Sequence, residues 1–438
     1  MVDVDLLVTN IGQLVTVGGA SAPRTAKALR ALGLVEDAAV AAKGGVILAA
    51  GRREEIERSV SAAPDAVIDA EGAVVTPGLV DPHTHAVFAH TREAEFAMRV
   101  AGSSYEEIAA SGGGIRSSVR AVRETTEDDL VARGLATLDR MLAFGTTTAE
   151  AKSGYGLSTD SEVKMLRAIA RVGEEHAVRV VPTFLGAHEF PDEWRDDREA
   201  YVDLLIEEMI PRVAREGLAR HCDVFCEEGV FSVEQSRKVL EAGREHGLEP
   251  KLHADELHAS GGAQLAAELG ARSADHLVCV SEEGIRALAA AGVVAVLLPG
   301  TSLSLGGTGF APARAMIEAG VPVALATDCN PGSSMTESMQ IIMSLGSMAL
   351  RMTPEEVLVA ATINAAYAIG AERTVGSIEP GKACDLVVWE VDDYRAIPYH
   401  YGVNLARVII AGGVVYRGSH LEPQPSGHDA GDREGGIG

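Results

Sequence analysis

Positive charge is in short supply. The 438-residue chain has 38 lysines and arginines against 63 aspartates and glutamates, a formal net charge of −25. Nucleic acid needs a basic surface, so this imbalance argues against such a partner. An anionic small substrate would need a local cation or hydrogen-bond donors of its own. Cysteine is sparse as well: five residues, an odd number without regular spacing. That count fits a reducing compartment better than a secreted, disulfide-bonded protein. Cys222 and Cys226 stand close together, but no second pair completes a structural zinc pattern, so both read as buried thiols. Long apolar runs are missing too. Stretches such as Val293–Leu298 are strand-length and far short of a membrane span. The opening MVDVDLLVTN has neither a basic n-region nor a long apolar core, so the expected location is the cytoplasm, with no membrane partner.

What is present is ordinary for a globular protein, 47% hydrophobic and 23% charged, and long enough for one large α/β domain and a smaller one. Near the N-terminus the runs DLLVTN, QLVTV, GGVILAAG and AVVTPG are β-like and separated by turns. Near the other end ACDLVVWEV and ARVIIAGGVVYRG match them. Both ends are therefore expected to share one small β domain, a sandwich built from residues 1–75 and 373–420, with 76–372 inserted between its halves. Residues 421–438 lack apolar anchors and are expected to be disordered.

The insert is regular. Eight short apolar runs alternate with segments of helical period: GLVDPHTH, TTTAEAKS, RVVPTFLGAH, CDVFCEEG, EPKLHAD, RSADHLV, VVAVLLPG and VPVALATDCNP. Asp129–Phe144 carries Leu135, Leu138 and Leu142 on one helical face, and Ser232–His246 begins at an N-cap serine and ends before Gly247. Eight strand–helix units imply a closed (β/α)8 barrel, with a doubly wound open sheet as the structural alternative.

Histidines and acids fall at the ends of these runs. His83 and His85 end the first, His188 the third, His253 the fifth, His276 the sixth and Asp328 the eighth. The C-terminal strand ends of a barrel line one mouth, so residues far apart in sequence converge there. His83, His85, His253 and Asp328 supply three nitrogens and an oxygen for a borderline divalent cation, with a position left for water. Such a cation lowers the pKa of that water toward neutrality. Glu256, in HADEL, could take a proton from the water and pass it to a leaving group. His276 could polarise the electrophile. Arg92 reads equally as a fork for a substrate carboxylate and as a surface salt bridge. Tyr155 sits on a Gly-flanked turn in KSGYG and could serve the site or pack on the rim. Lys152 reads as structural pairing. The fourth run, DVFCEEG, has no lysine to bridge two metals, so one metal is expected.

The motifs PGLVDPHTH, HAD, DH and ATD resemble the amidohydrolase superfamily. The longer strings SGGGIRSSVRAVR, AKSGYGLSTDSEVKML, TFLGAHEFP, KLHADEL, SADHL and LATDCNPGSS are similar, within it, to hydrolases of a cyclic amide in histidine degradation. The resemblance runs from about Asp5 to Gly418. It implies hydrolysis of 4-imidazolone-5-propanoate, a small carboxylate, to N-formimidoyl-L-glutamate. It also implies one zinc or iron ion on His83, His85, His253 and Asp328, with zinc favoured. Glu256 and His276 then join Asp328 as catalytic residues. The implied substrate contacts, with Glu256, are Arg92, Tyr105, Tyr155, His188, Asn330, Gly332 and Ser333. Relatives of this kind are often dimers, so the resemblance leaves a homodimer possible. Ala89 and His90 depart from the small residues expected before Arg92, and the loop TSLSLGGTGF is less aromatic than in such relatives. A deaminase of a nucleobase-like ring would share the metal ligands and is the enzymatic alternative. A non-catalytic barrel scaffold is the other, and it would be expected to have lost ligands.

Overall fold

A computed structural model describes residues 1–103, 107, 112–306 and 309–417; Tyr105 and the 421–438 tail expected to be disordered lie outside the described residues. Seven strands come first: β1 (Val2–Val4), β2 (Leu6–Val15), β3 (Leu34–Lys43), β4 (Val46–Arg52), β5 (Val60–Ala62), β6 (Val67–Asp69) and β7 (Val74–Pro77). The runs DLLVTN and QLVTV, expected as separate strands, are one. Their join is an irregularity in the pairing with β3 between Val8 and Ile11, where Asn10 takes a left-handed φ of 54°. β3 was not expected, because its alanine-rich sequence carries little β-propensity.

The eight apolar runs all become parallel strands: β8 (Leu79–Asp81), β9 (Thr146–Lys152), β10 (Arg179–Ala187), β11 (His221–Cys226), β12 (Glu249–Ala254), β13 (Ser273–His276), β14 (Val294–Leu297) and β15 (Val323–Leu325). They pair in sequence order, and the ring closes at its C-terminal mouth. There Asp328 N donates to His83 O (3.0 Å) and His85 N to Cys329 O (2.9 Å). Thr327 N adds a bond to the Asp81 carboxylate (3.1 Å). This seam disposes of the open-sheet alternative. The two anticipated helices form at Glu127–Ala143 and Val233–Glu245. Ser232 and Gln235 make a reciprocal capping box, and Gly247 takes a φ of 85° just past the C-terminus.

Alternation along β9 sorts its residues. Ala149 and Ala151 join the main apolar cluster with Leu138 and Leu166 of the covering helices. Glu150 and Lys152 point the other way and meet Asp223 of β11 and Asp275 of β13, all fully buried. The barrel lumen is thus charged below its mouth, where such barrels more often hold branched apolar residues.

Three strands follow, β16 (Leu386–Trp389), β17 (Ala406–Ala411) and β18 (Val414–Arg417). They extend the N-terminal sheet in the order β18-β17-β16-β7-β2-β3-β4. The sheet curls so that Val46 bridges Ala383, enclosing an interior shared by Val8, Leu14 and Val40 with Leu386, Val388 and Ile410. Both ends of the chain therefore build one small β unit beside the barrel. Among the described residues no helix is long and apolar enough to cross a membrane.

Candidate metal centre and active site

The closing seam carries the first two histidines. With the backbone pinned on either side of Thr84, the imidazoles of His83 and His85 stand 5.5 Å apart between centroids. Each Nε2 lies 3.6 Å from Asp328 Oδ1. His253, at the end of β12, brings its ring to 4.5 Å from that of His83. Two of the residues at the mouth leave their strands through left-handed backbone, Asp328 at φ 52° and His276 at φ 76°. Such kinks in residues other than glycine are uncommon and cluster where a side chain must be aimed.

The donor set fits a divalent cation. Nitrogen and oxygen ligands about 2.1 Å from a tetrahedral zinc stand roughly 3.4 Å from one another, close to the 3.6 Å between Asp328 Oδ1 and the Nε2 atoms of His83 and His85; His253 groups with His83 and His276, and with His85 and His188, within 4.8 Å. His83 Nε2 and His253 Nε2 are buried without a hydrogen-bond partner among the described residues, a costly arrangement that a bound cation relieves. Asp328 Oδ2 accepts from Thr301 Oγ1 at 2.6 Å, leaving Oδ1 toward the histidines. Burial pushes the Asp328 carboxyl up to about 6, which a cation beside it would reverse.

Two carboxylates absent from the expected set stand against the rings, one in a hydrogen bond to His83 and one as an ion-pair neighbour of His253. Asp275 Oδ2 is 2.6 Å from His83 Nδ1 and Asp223 Oδ2 is 3.1 Å from His253 Nδ1. Carboxylate partners of this kind fix which ring nitrogen faces a metal. The available signal was the placement of each acid on a predicted barrel strand, Asp275 directly before His276. Lys152 Nζ pairs with Asp223 at 2.7 Å, as expected of a structural lysine, and β11 contains no lysine.

Glu256 and His276 face each other across 3.5 Å (Oε1 to Nδ1). Burial, then the charge of Asp328, raises Glu256 to about 8. Burial, then His253 beside it, holds His276 far below the usual histidine range, so it is neutral at neutral pH. His188 stacks on His85 with centroids 5.1 Å apart, and its Nδ1 meets Gly154 O at 3.0 Å. Burial brings its pKa down to about 3. Tyr155 is buried against both rings, and burial followed by the Asp328 charge keeps its phenol protonated.

Arg92 forms an ion pair, as one of its two readings expected, but a largely buried one. Nη2 donates to Glu95 Oε2 at 2.5 Å, while Nε is buried without a partner among the described residues. Glu95, a residue the motifs did not flag, is itself fixed by Gly114 N at 3.1 Å. Of the two departures before Arg92, Ala89 is buried and His90 Nε2 meets Ser117 Oγ at 3.1 Å. The loop after β15 joins Arg92 to the metal side. Asn330 Oδ1 accepts from Gly332 N and Ser333 N, both at 2.8 Å. Ser333 Oγ stands 3.5 Å from Asp328 Oδ2, and Gly332 packs on the guanidinium. A cavity of about 590 Å³ opens beyond Arg92, walled by Phe96, Arg99, Leu303, Gly332 and Met335. Of the residues expected in the site, all but Tyr105, which is not described, gather at this mouth.

The model of the Amidohydrolase family matches residues 74–415. Imidazolonepropionase of Geobacillus kaustophilus is 52% identical over 413 residues, covering 94% of this chain and 97% of the relative. Imidazolonepropionase of Alkaliphilus metalliredigens is 49% identical over 410 residues, with the same coverage of each. Among solved structures, a 5-methylcytosine deaminase from Klebsiella pneumoniae superimposes with a TM-score of 0.71 at 18% identity, covering 94% of this chain and 97% of its own. A zinc-bound adenosine deaminase from Xanthomonas campestris gives 0.69 at 21%, covering 94% and 92%. At those identities the two deaminases share the fold.

Proposed function

The chain belongs to the amidohydrolase family, and from that premise we propose that it hydrolyses the ring amide of 4-imidazolone-5-propanoate to N-formimidoyl-L-glutamate. One observation carries the reading: the Asp328–Ser333 loop joins a water-activating donor set on one side to Arg92 on the other. A hydrolytic centre and a cation for a carboxylate thus stand on a single rigid turn. An arginine held in this way would be left without its ligand by a neutral nucleobase, which disfavours the deaminase alternative.

His83, His85, His253 and Asp328 would hold one divalent ion, and three nitrogens with one oxygen suit zinc. The ion supplies Lewis acidity and makes water nucleophilic near neutral pH. The chain's own residues do the rest. Arg92 Nε and Nη1 receive the propionate, with Asn330 and Ser333 shaping the turn beside it. Neutral His188 and protonated Tyr155 offer uncharged hydrogen-bonding groups to the ring, which suits an uncharged cyclic amide. Glu256 accepts a proton from the attacking water and delivers it to the ring nitrogen as the C–N bond breaks. His276 faces Glu256 through Nδ1 and keeps Nε2 for the carbonyl oxygen. All five cysteines are free, which fits the reducing cytoplasm as the place of work.

Product analysis tests the reading. Metal-loaded protein given freshly prepared substrate should yield N-formimidoyl-L-glutamate, identified by mass spectrometry, without release of ammonia. Ammonia from cytosine- or guanine-like rings, with the imidazolone untouched, would install the deaminase reading in its place.

A further inference from the structure

Lys152 is fully buried, and so are the carboxylates around it. Its Nζ lies 2.7 Å from Asp223 Oδ2, 2.8 Å from Glu150 Oε2 and 3.7 Å from Asp275 Oδ2. The same Oδ2 atoms face the imidazoles: Asp223 Oδ2 toward His253 Nδ1 at 3.1 Å and Asp275 Oδ2 toward His83 Nδ1 at 2.6 Å. The Lys152 ammonium is therefore in direct contact with the Asp223 oxygen beside His253 and stands farther from the Asp275 oxygen beside His83. On the far side of both rings Nε2 is buried and unpartnered among the described residues.

Lys251 supplies the contrast within the same lumen. Its Nζ stands 3.4 Å from Glu150 Oε1 and 3.7 Å from Asp275 Oδ2, and its hydrogen bonds go to the backbone oxygens of Pro82 (3.3 Å) and Ala368 (3.5 Å). Both lysines compensate buried negative charge, but Lys152 is the one in close contact with a carboxylate that orients a histidine.

We propose that Lys152 is a positioning residue of the metal centre, holding Asp223 against His253, whose backbone N donates to Asp223 Oδ1 at 3.2 Å, so that the ring presents Nε2 to the cation it shares with His83. The proposal rests on the reading of His83 and His253 as ligands. Without the ammonium, Asp223 loses its close cation while Lys251 still faces Asp275, so Asp223 shifts and the His253 ring follows it. The lysine acts two bonds away from the chemistry and touches neither substrate nor metal.

The test compares Lys152→Met with Lys251→Met, each losing one buried ammonium from the same cluster. Zinc affinity is measured by competition with a chromophoric chelator, and the visible absorption of the cobalt-loaded protein reports ligand geometry. Circular dichroism and melting of the metal-free forms check folding. Lys152→Met is expected to bind zinc about 10–100-fold more weakly, the usual cost of losing an outer-shell partner, with an altered cobalt spectrum. Lys152→Arg should recover part of the affinity, and Lys251→Met should lose clearly less. Wild-type affinity and an unchanged spectrum in folded Lys152→Met would overturn the proposal, as would equal losses in the two methionine variants. If Lys152→Met does not fold, Asp223→Asn cuts the same line at its middle, and wild-type zinc affinity there would overturn it equally. A wild-type protein that binds neither zinc nor cobalt would instead remove the ligand reading itself.

Discussion

A side chain at position 332 would collide with Arg92: a Cβ built on Gly332 would lie 2.4 Å from Arg92 Nη1. The glycine is needed for the room it leaves, since its φ is not among the left-handed ones. Gly332→Ala is therefore expected to push the guanidinium off the substrate carboxylate. The expected signature is a KM raised about tenfold, roughly 1.4 kcal/mol of binding, with kcat little changed. Steady-state kinetics read this directly, and an unaltered KM would separate Gly332 from substrate binding.

Removing the guanidinium goes further. Hydrogen bonds to a charged group are each worth about 1.5–3 kcal/mol, so Arg92→Ala should lower kcat/KM by about 30-fold or more, mostly through KM. The loss should disappear with an analogue whose propionate is replaced by its neutral amide. Equal losses on both compounds would mean that Arg92 supports the loop and not the carboxylate.

Glu256→Gln keeps the shape of the side chain and removes its capacity to carry a proton. A drop in kcat of about 10²–10⁴-fold is expected, the usual range for a positioned acid–base group, with metal content unchanged by elemental analysis. Near-wild-type turnover would transfer the proton to another residue.

The pH profile follows from the same carboxyl. Burial, then the Asp328 charge, raises Glu256 to about 8, and a bound cation pulls it back toward the ordinary value of about 4.3. Glu256 must be ionised to accept a proton, so activity is lost as pH falls through its pKa and regained as pH rises. The acid limb of log kcat/KM should lie between those two values. Whatever activity Glu256→Gln retains should lack that limb; a limb that persists in the variant would belong to another group.

The barrel was legible in the sequence because its strands are short apolar runs at regular spacing, and the candidate metal ligands because they end those runs. His83 and His85 stood out as the end of the first run, and Asp328 by its place after the last strand. β3 escaped notice because alanines carry no strand signal. Asp223 and Asp275 escaped for a different reason. Their partners, His253 and His83, are 30 and 192 positions away, and a buried acid beside a histidine declares its role only once the strands are wrapped. Glu95 looked like one more charge on an acidic helix until the fold set it against Arg92. In each case the ligand set is a pattern within single strands, whereas its support is a pattern across them.

The most direct measurement follows the ring absorbance of freshly generated 4-imidazolone-5-propanoate, with metal-loaded protein and the same protein after chelation. Decay well above the spontaneous rate, abolished by the chelator and restored by added zinc, is the predicted result. A folded, metal-loaded protein that leaves the spontaneous decay unchanged would contradict the account at its centre.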